Sequence, residues 1–228
     1  MAAQSPTTLS DRGVLESVNI GSPRPISHRG RTEMTSIWKS PAPGRVSVRG
    51  VNVAGDVQSD PRHHGGPDKA VYAYGCADFE WWAEELGRSL EPGAFGENLT
   101  VRGIAVSKAV VGERWRVGTV VLEVAQPRIP CFKLGIRMGD PHFVRRFARA
   151  HRPGAYLRIV EEGELAAGDP VQVIHRPGHG VTVADAARAQ MGDRAALARL
   201  PAAPELPERW QEWARDQLAG KGRDSTEL

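Results

Sequence analysis

One cysteine in this sequence stands among residues that could make its sulfur reactive. Cys131 follows two prolines, Pro127 and Pro130, and it has a cation close by on either side, at Arg128 and Lys133. Nearby cations stabilise a thiolate, and a thiolate attacks electrophiles or binds soft metal ions. Most free cysteines are buried and inert, and the residue pattern leaves that alternative open for Cys131.

The segments around Cys131 predict how it is presented. Residues 119–124 alternate in the manner of a strand, and proline, which has no N–H to donate, is expected to break the ladder at Pro127. Pro130 disfavours helix immediately before it, so Cys131 is expected to begin a new element. If residues 131–136 form a helical turn, its free N–H groups favour the thiolate further.

Two glycine-rich stretches could bring donors to a ligand. Residues 55–69 are polar and too long for a hairpin turn, and paired glycines let backbone N–H groups approach a ligand closely. In the second stretch, residues 92–99, Glu97 and Asn98 could orient a ligand. Both stretches also fit ordinary surface loops. The candidate contacts of the first stretch are Arg62, His63, His64, Gly65, Gly66 and Lys69.

Composition restricts the class of protein. The chain of 228 residues is 40% hydrophobic and 25% charged, as is usual for a globular protein. Two cysteines, Cys76 and Cys131, cannot build a disulfide framework or hold a cluster by four thiolates. The N-terminus lacks the features of a signal peptide, and no apolar run approaches the ~18 residues of a membrane span. We therefore expect a cytoplasmic protein without a membrane segment.

Charge is unevenly distributed along the chain. The net charge is +3, yet residues 126–158 hold eight lysines and arginines against Asp140 alone, so this segment is +7 and the remainder −4. Such a local field should attract an anion, such as a phosphate-bearing cofactor or a nucleic acid. A solvated helix face is the alternative, and we favour it for Arg145, Arg146 and Arg149.

Regularly spaced short strands with turn residues between them indicate a barrel or a sandwich. A helix is expected over residues 79–86 with Asp78 as its cap, and another after Asp140. The polar stretch Arg24 to Glu33 predicts a long loop. The predicted strands cover residues 14–20, 46–53, 70–74, 98–101, 113–117, 119–124, 155–160 and 171–174.

The sequence predicts four regions. Residues 1–12 form a disordered tail, 13–176 the barrel domain, 177–220 a small three-helix appendage and 221–228 a flexible tail. Thr182 and Asp193 are the expected caps in the appendage, and Trp210, Trp213 and Leu218 should form one apolar stripe. These helices could form a homodimer, dock a partner or pack on the barrel.

Four stretches carry a resemblance to a known family: HHGGPDKAVYAY, PGAFGENLTVRG, QPRIPCFKL and AYLRIVEEGELAAGDPVQV. Their order and spacing over residues 14–176 resemble MOSC-domain proteins, named for the C-terminal domain of molybdenum-cofactor sulfurase, and most closely the YiiM-like branch. The resemblance implies a closed, mostly antiparallel β-barrel, related to the pyruvate-kinase barrel, with interspersed helices.

The resemblance also implies binding of a molybdenum cofactor, molybdopterin, whose pterin carries a phosphate. Cys131 falls on the signature cysteine of the family and would be both the catalytic thiolate and the protein ligand of molybdenum, displayed at the barrel mouth. The implied cofactor-binding residues are His64, Gly65, Gly66, Lys69, Asn98, Arg128, Lys133 and Arg158.

For this branch, the implied activity is reduction of N-hydroxylated compounds, such as hydroxylamino base analogues like 6-N-hydroxylaminopurine. The sequence has no dinucleotide fingerprint and too few cysteines for an iron–sulfur cluster, so we expect electrons from a separate redox protein. Two alternatives remain: a sulfur carrier with a persulfide on Cys131, and a non-catalytic cofactor-binding or nucleic-acid-binding barrel. The basic segment has few aromatic residues to stack on bases, which disfavours nucleic acid.

Overall fold

A closed β-barrel forms the centre of the computed structural model, which describes residues 10–59 and 65–221. The predicted tails lie almost entirely outside these residues, although Arg12 already belongs to the first strand. The strands in the described ranges are β1 (Arg12–Ile20), β2 (Arg24–His28), β3 (Arg31–Thr35), β4 (Ser40–Pro41), β5 (Val46–Arg49), β6 (Asn52–Val53), β7 (Val71–Gly75), β8 (Leu99–Arg102), β9 (Arg114–Val117), β10 (Val120–Pro127), β11 (Ala155–Glu161), β12 (Gly163–Leu165) and β13 (Pro170–His175). The α-helices there are α1 (Cys76–Leu86), α2 (Phe132–Met138), α3 (Phe143–Ala150), α4 (Val183–Gln190), α5 (Arg194–Arg199) and α6 (Glu208–Leu218).

Seven of these strands close the barrel in the order β13-β9-β10-β11-β7-β8-β1, and β1 pairs back with β13. The prediction of a closed, mostly antiparallel barrel is confirmed, and one pair of neighbouring strands is parallel. β7 and β8 run parallel, with Ala73 opposite Leu99. Parallel neighbours need a crossover connection, and α1 with the loop after it provides one.

The barrel wall separates two clusters of buried residues. Alternate strand residues point inward, so Val71 and Ala73 of β7 belong to the large inner core, together with Trp115 and Leu157. Tyr72 and Tyr74 point outward into a second cluster between the wall and the helices α1, α2 and α3. The phenylalanines of that cluster are Phe79, Phe95, Phe143 and Phe147.

A β-hairpin occupies the stretch that was predicted to be a long loop. β2 and β3 pair antiparallel from Arg24–Thr35 to His28–Arg31. The two turn residues, Arg29 and Gly30, both have positive φ, at 51° and 75°, as a type I′ turn requires. The sequence did not reveal this hairpin because its strands carry few apolar residues and Arg-Gly is not a common I′ pair.

Two predicted boundaries near the site are also wrong. β10 does not break before the prolines but runs to Pro127, which pairs with Ala155 at the very end of the strand, a position where the missing N–H costs little. Helix α1 begins at Cys76 with Gly75 as its cap, so Asp78 lies in the first turn. The Asp78 carboxylate instead accepts hydrogen bonds from the Ser107 hydroxyl, at 2.6 Å, and from Arg152, at 2.5 Å.

The three C-terminal helices pack against the barrel and share its core. Thr182 and Asp193 cap α4 and α5, as predicted, and Thr182 forms a reciprocal capping box with Asp185. Trp210 and Trp213 are buried in the same continuous cluster as the barrel interior, whereas Leu218 is 49% exposed, so its place in the predicted stripe is wrong. The boundary at residue 176 stays a prediction.

Across residues 10–59 and 65–221, the helices are all too short or too polar to span a bilayer.

Candidate functional site

An open cleft lies against the outer face of the barrel wall. Its back is formed by Tyr72 and Tyr156, which point outward from β7 and β11. Cys131, which we expected at the barrel mouth, is among the residues that line this cleft. The cleft is lined by Thr35, Ser36, Ile37, Lys39, Asp56, Val57, Gln58, Ser59, Lys69, Ala70, Tyr72, Gly96, Asn98, Arg128, Cys131, Lys133 and Tyr156.

Five of the predicted site residues meet in this cleft. They come from three separate segments of the chain, and they are Lys69, Asn98, Arg128, Cys131 and Lys133. Gly65 and Gly66 lie beside it, because the Gly66 N–H donates to the side-chain oxygen of Gln58, a lining residue, at 3.3 Å. His64 lies outside the described residues.

Arg158 does not line the cleft. Its guanidinium donates to Asp68 at 2.6 Å, to Glu123 at 3.0 Å and to the Glu205 carbonyl at 2.9 Å. These contacts tie the turn before β7 to the strand β10 and to the C-terminal segment. Its predicted role in binding a cofactor stays a prediction, and the observed contacts favour a structural one.

Cys131 is the N-cap residue of α2, and its extended backbone, with φ −123° and ψ 172°, ends the approach from Pro130. The prediction that it begins a new element is therefore confirmed. The residue is partly exposed at the cleft, unlike the other free cysteine, Cys76, which is buried. Burial raises the pKa of the Cys76 thiol. The two cysteines thus differ in exposure: a ligand in the cleft can reach Cys131, whereas Cys76 is a packing residue.

Arg128 is a rigid cation beside the cysteine. It is only 6% exposed, donates to the Phe95 carbonyl at 2.5 Å, and lies over the rings of Tyr72 and Phe147 at 5.3 and 5.7 Å. Burial raises the pKa values of Tyr72 and Tyr156, so both phenols stay neutral. Arg128 therefore presents its charge to the cleft from a fixed position.

Lys133 lies in the first turn of α2, and its side chain faces the β2–β3 hairpin. Its side chain is 6% exposed, and its Nζ lies 4.0 Å from Glu33 Oε2 on the hairpin. His28 of the same hairpin stacks on Phe132, with ring centroids 4.0 Å apart. The hairpin thus contacts the first turn of α2, the helix that Cys131 caps.

A buried ion pair in the cleft was not predicted from the sequence. Lys39 Nζ donates to Asp56 Oδ1, and their side chains are 8% and 4% exposed. Asp56 also accepts from the Gly21 N–H at 2.8 Å and from Asn98 Nδ2 at 2.9 Å. A lysine between apolar residues and prolines was the available signal, but its partner is far along the chain. Asn98, predicted to bind a ligand, positions Asp56 and also accepts from the Tyr72 N–H.

Glu97 is a second buried carboxylate behind the cleft. It accepts from the backbone N–H groups of Gly93 and Phe95 and from the Thr100 hydroxyl at 2.9 Å. Burial nevertheless raises the pKa of Glu97 to about 7. Below pH 7 the buried carboxyl thus tends toward its neutral form.

This pKa predicts a pH dependence of stability. Because the folded-state pKa of Glu97 lies above the ordinary value, its contribution to the free energy of unfolding is most favourable below about pH 4.5 and declines until about pH 7. The expected decline is roughly 3 kcal/mol. Urea unfolding at pH 5 and pH 7.5 should show it in the wild type and not in Glu97→Gln. Glu91→Gln, an exposed change in the same loop, should show the same change in the free energy of unfolding between the two pH values as the wild type. An equal change in the wild type and in Glu97→Gln would contradict the assignment to Glu97.

Several known proteins are similar to this chain. The MOSC domain family model matches residues 60–172. Uncharacterized protein YflK of Bacillus subtilis is 35% identical over 198 residues, 86% of this chain and 90% of that protein. A protein named Reductase from Gibberella moniliformis is 34% identical over 152 residues, 64% of this chain and 27% of that protein.

A solved structure extends the likeness to most of the chain. The crystal structure of YiiM from Geobacillus stearothermophilus has a TM-score of 0.73 and 28% identity, and the match covers 90% of this chain and 99% of that one. Cys131, Gly65 and Gly66 fall within the span of the family model, as do nine of the seventeen lining residues of the cleft, whereas Lys39 and Asp56 lie before it. The resemblance seen in the sequence is confirmed: the chain belongs to the MOSC domain family.

Proposed function

We propose that this protein binds a molybdenum cofactor in the cleft beside Cys131 and reduces N-hydroxylated substrates there. Membership of the MOSC family supports the cofactor, and the relative named Reductase is compatible with an oxidoreductase. The observation that carries the proposal is the convergence of a partly exposed thiol with cationic side chains in one cleft. These cations are Lys39, Lys69, Arg128 and Lys133.

The donor set of the cleft fits such a cofactor. A thiolate is a suitable ligand for a soft metal, and Cys131 is partly exposed where a ligand can reach it. The cations suit the pterin phosphate, because Asp56 is the one carboxylate among the described lining residues.

Each residue has a separate task in this proposal. Cys131 would hold the metal, and Arg128, Lys69 and Lys133 would orient the phosphate-bearing end. Tyr72 and Tyr156 stay neutral and form the wall behind the bound group. When bound, the cofactor supplies two-electron redox chemistry at the metal.

The proposed reaction consumes two electrons and two protons for each N–O bond broken, and it releases an amine and water. We infer that the electrons come from a separate redox protein, because the two cysteines are too few for an iron–sulfur cluster. Turnover by the purified, cofactor-loaded protein on NADH alone would contradict this part of the proposal.

Expression in a host that makes molybdopterin tests the function directly. We expect about one molybdenum atom per chain, and reduction of 6-N-hydroxylaminopurine to adenine with dithionite as the electron source. Metal-free protein that carries cyanide-labile sulfur would favour the sulfur carrier instead. Molybdenum without reduction of any N-hydroxylated compound would favour a cofactor-binding protein without this activity.

A further inference from the structure

The buried pair Lys39–Asp56 has no task in the function proposed above beyond its charge. Asp56 is fixed by three donors: Lys39 Nζ, the Gly21 N–H and Asn98 Nδ2. Lys39 uses one of its three N–H donors in the bond to Asp56. Lys39 and Cys131 line the same cleft. An ammonium group held in this way keeps donors available to a bound substrate.

The proposed reaction needs a proton donor in the cleft. The oxygen that leaves the nitrogen must be protonated to depart as water, and a positioned acid speeds such a step. Arg128 cannot serve, because a guanidinium keeps its protons at ordinary pH. Tyr72 and Tyr156 are poor donors, because burial raises the pKa of each phenol.

Lys39 has the properties that such a donor needs. Burial lowers the pKa of its ammonium group and thereby makes it a stronger acid, while Asp56 acts in the opposite direction. Glu97 also raises this pKa and Arg128 lowers it. The remaining titratable groups of the cleft wall are Lys69, Tyr72, Cys131, Lys133 and Tyr156.

We propose that Lys39 is a catalytic residue whose Nζ gives one proton to the oxygen of the breaking N–O bond, with Asp56 as its positioning residue. This inference rests on the proposed function. The N–O bond breaks as two electrons arrive from the external donor, a redox protein or dithionite. The oxygen leaves as water with the proton from Lys39. The nitrogen takes its proton from solvent water, which also reprotonates Lys39.

Lys39→Arg separates proton donation from charge. Arginine keeps the cation that could hold a phosphate, but it does not release a proton at ordinary pH. We expect Lys39→Arg to retain molybdenum and to lower kcat for 6-N-hydroxylaminopurine by about 100-fold or more, with little change in KM. Lys39→Gln should lose kcat to a similar extent. The exposed Lys108→Arg is the matched control and should keep the wild-type kcat.

A second measurement does not depend on turnover. NMR titration of protein with isotope-labelled lysine should give a Lys39 pKa below that of an exposed lysine, the signal being assigned by its loss in Lys39→Arg. Asp56→Asn should lower that pKa further, because the carboxylate favours the charged form.

The outcomes are distinguishable from failure of the proposed function. An inactive wild type would contradict the function itself. With an active wild type, unchanged kcat in Lys39→Arg would overturn the donor role, as would a loss of molybdenum that matches the loss of kcat. An ordinary lysine pKa for Lys39 would also overturn it, whatever the wild type does.

Discussion

Cys131→Ser is expected to abolish molybdenum binding and reductase activity without unfolding the protein. Serine replaces a soft thiolate by a hydroxyl, which is a poor ligand for such a metal. Loss of a residue that supports a metal ligand typically lowers metal affinity by roughly 10- to 100-fold. Loss of the ligand itself should lower the affinity further, and the metal content should fall with it. Metal analysis after expression in a molybdopterin-producing host measures this change.

The fold should tolerate this substitution for a specific reason. Cys131 is the N-cap of α2, and its side chain makes no capping hydrogen bond. Serine is among the preferred N-cap residues, so the variant should be as stable as the wild type, or up to ~1 kcal/mol more stable. Thermal unfolding beside metal analysis therefore separates loss of the ligand from loss of structure.

Cys76→Ser is the matched control for the assignment. Cys76 is 7% exposed at the start of α1 and does not line the cleft. Its hydroxyl variant should retain molybdenum while losing about 1–2 kcal/mol of stability, because it buries a polar group. Equal molybdenum in wild type and Cys131→Ser would remove Cys131 as the ligand.

Local patterns in the sequence predicted most of the barrel. Strand β9 alternates between exposed and buried residues, and the turns on either side of it carry glycine, so the spacing of apolar residues and the turn residues indicate the same strand. The direction of β8 did not follow from these patterns, because pairing depends on the connection through α1. The β2–β3 hairpin was not predicted from the sequence because its residues are mostly exposed and polar.

The site was predictable where the chemistry lies within a short motif. Arg128, Cys131 and Lys133 belong to one stretch, and they do line the cleft together. Lys39 and Asp56 form their pair from separate segments, and nothing local to either residue reveals the other. Arg158 shows the converse difficulty, since its charge is visible in the sequence but its partners Asp68 and Glu123 are not.

Trp210→Ala is expected to cause the largest loss of stability among the variants proposed for this protein, because the side chain is fully buried. The variant tests whether the C-terminal helices belong to the barrel core. Trp210 of α6 is fully buried, and its Nε1–H donates to Gln126 Oε1 of β10 at 2.9 Å. Gln126 Nε2 in turn donates to the Asp68 carbonyl at 2.9 Å, beside Lys69 of the cleft. Truncation should lower the free energy of unfolding by about 3–5 kcal/mol.

Trp210→Phe separates the contribution of side-chain packing from that of the hydrogen bond to Gln126. Phenylalanine keeps most of the packing and removes the N–H, so it should cost about 1 kcal/mol for the hydrogen bond and a further small amount for the lost volume. Urea unfolding of both variants measures the difference. A loss below about 1 kcal/mol in Trp210→Ala would mean that the helices rest on the barrel without sharing its core. A large loss in both variants would instead locate the effect in the link from Trp210 through Gln126 to the turn that carries Lys69.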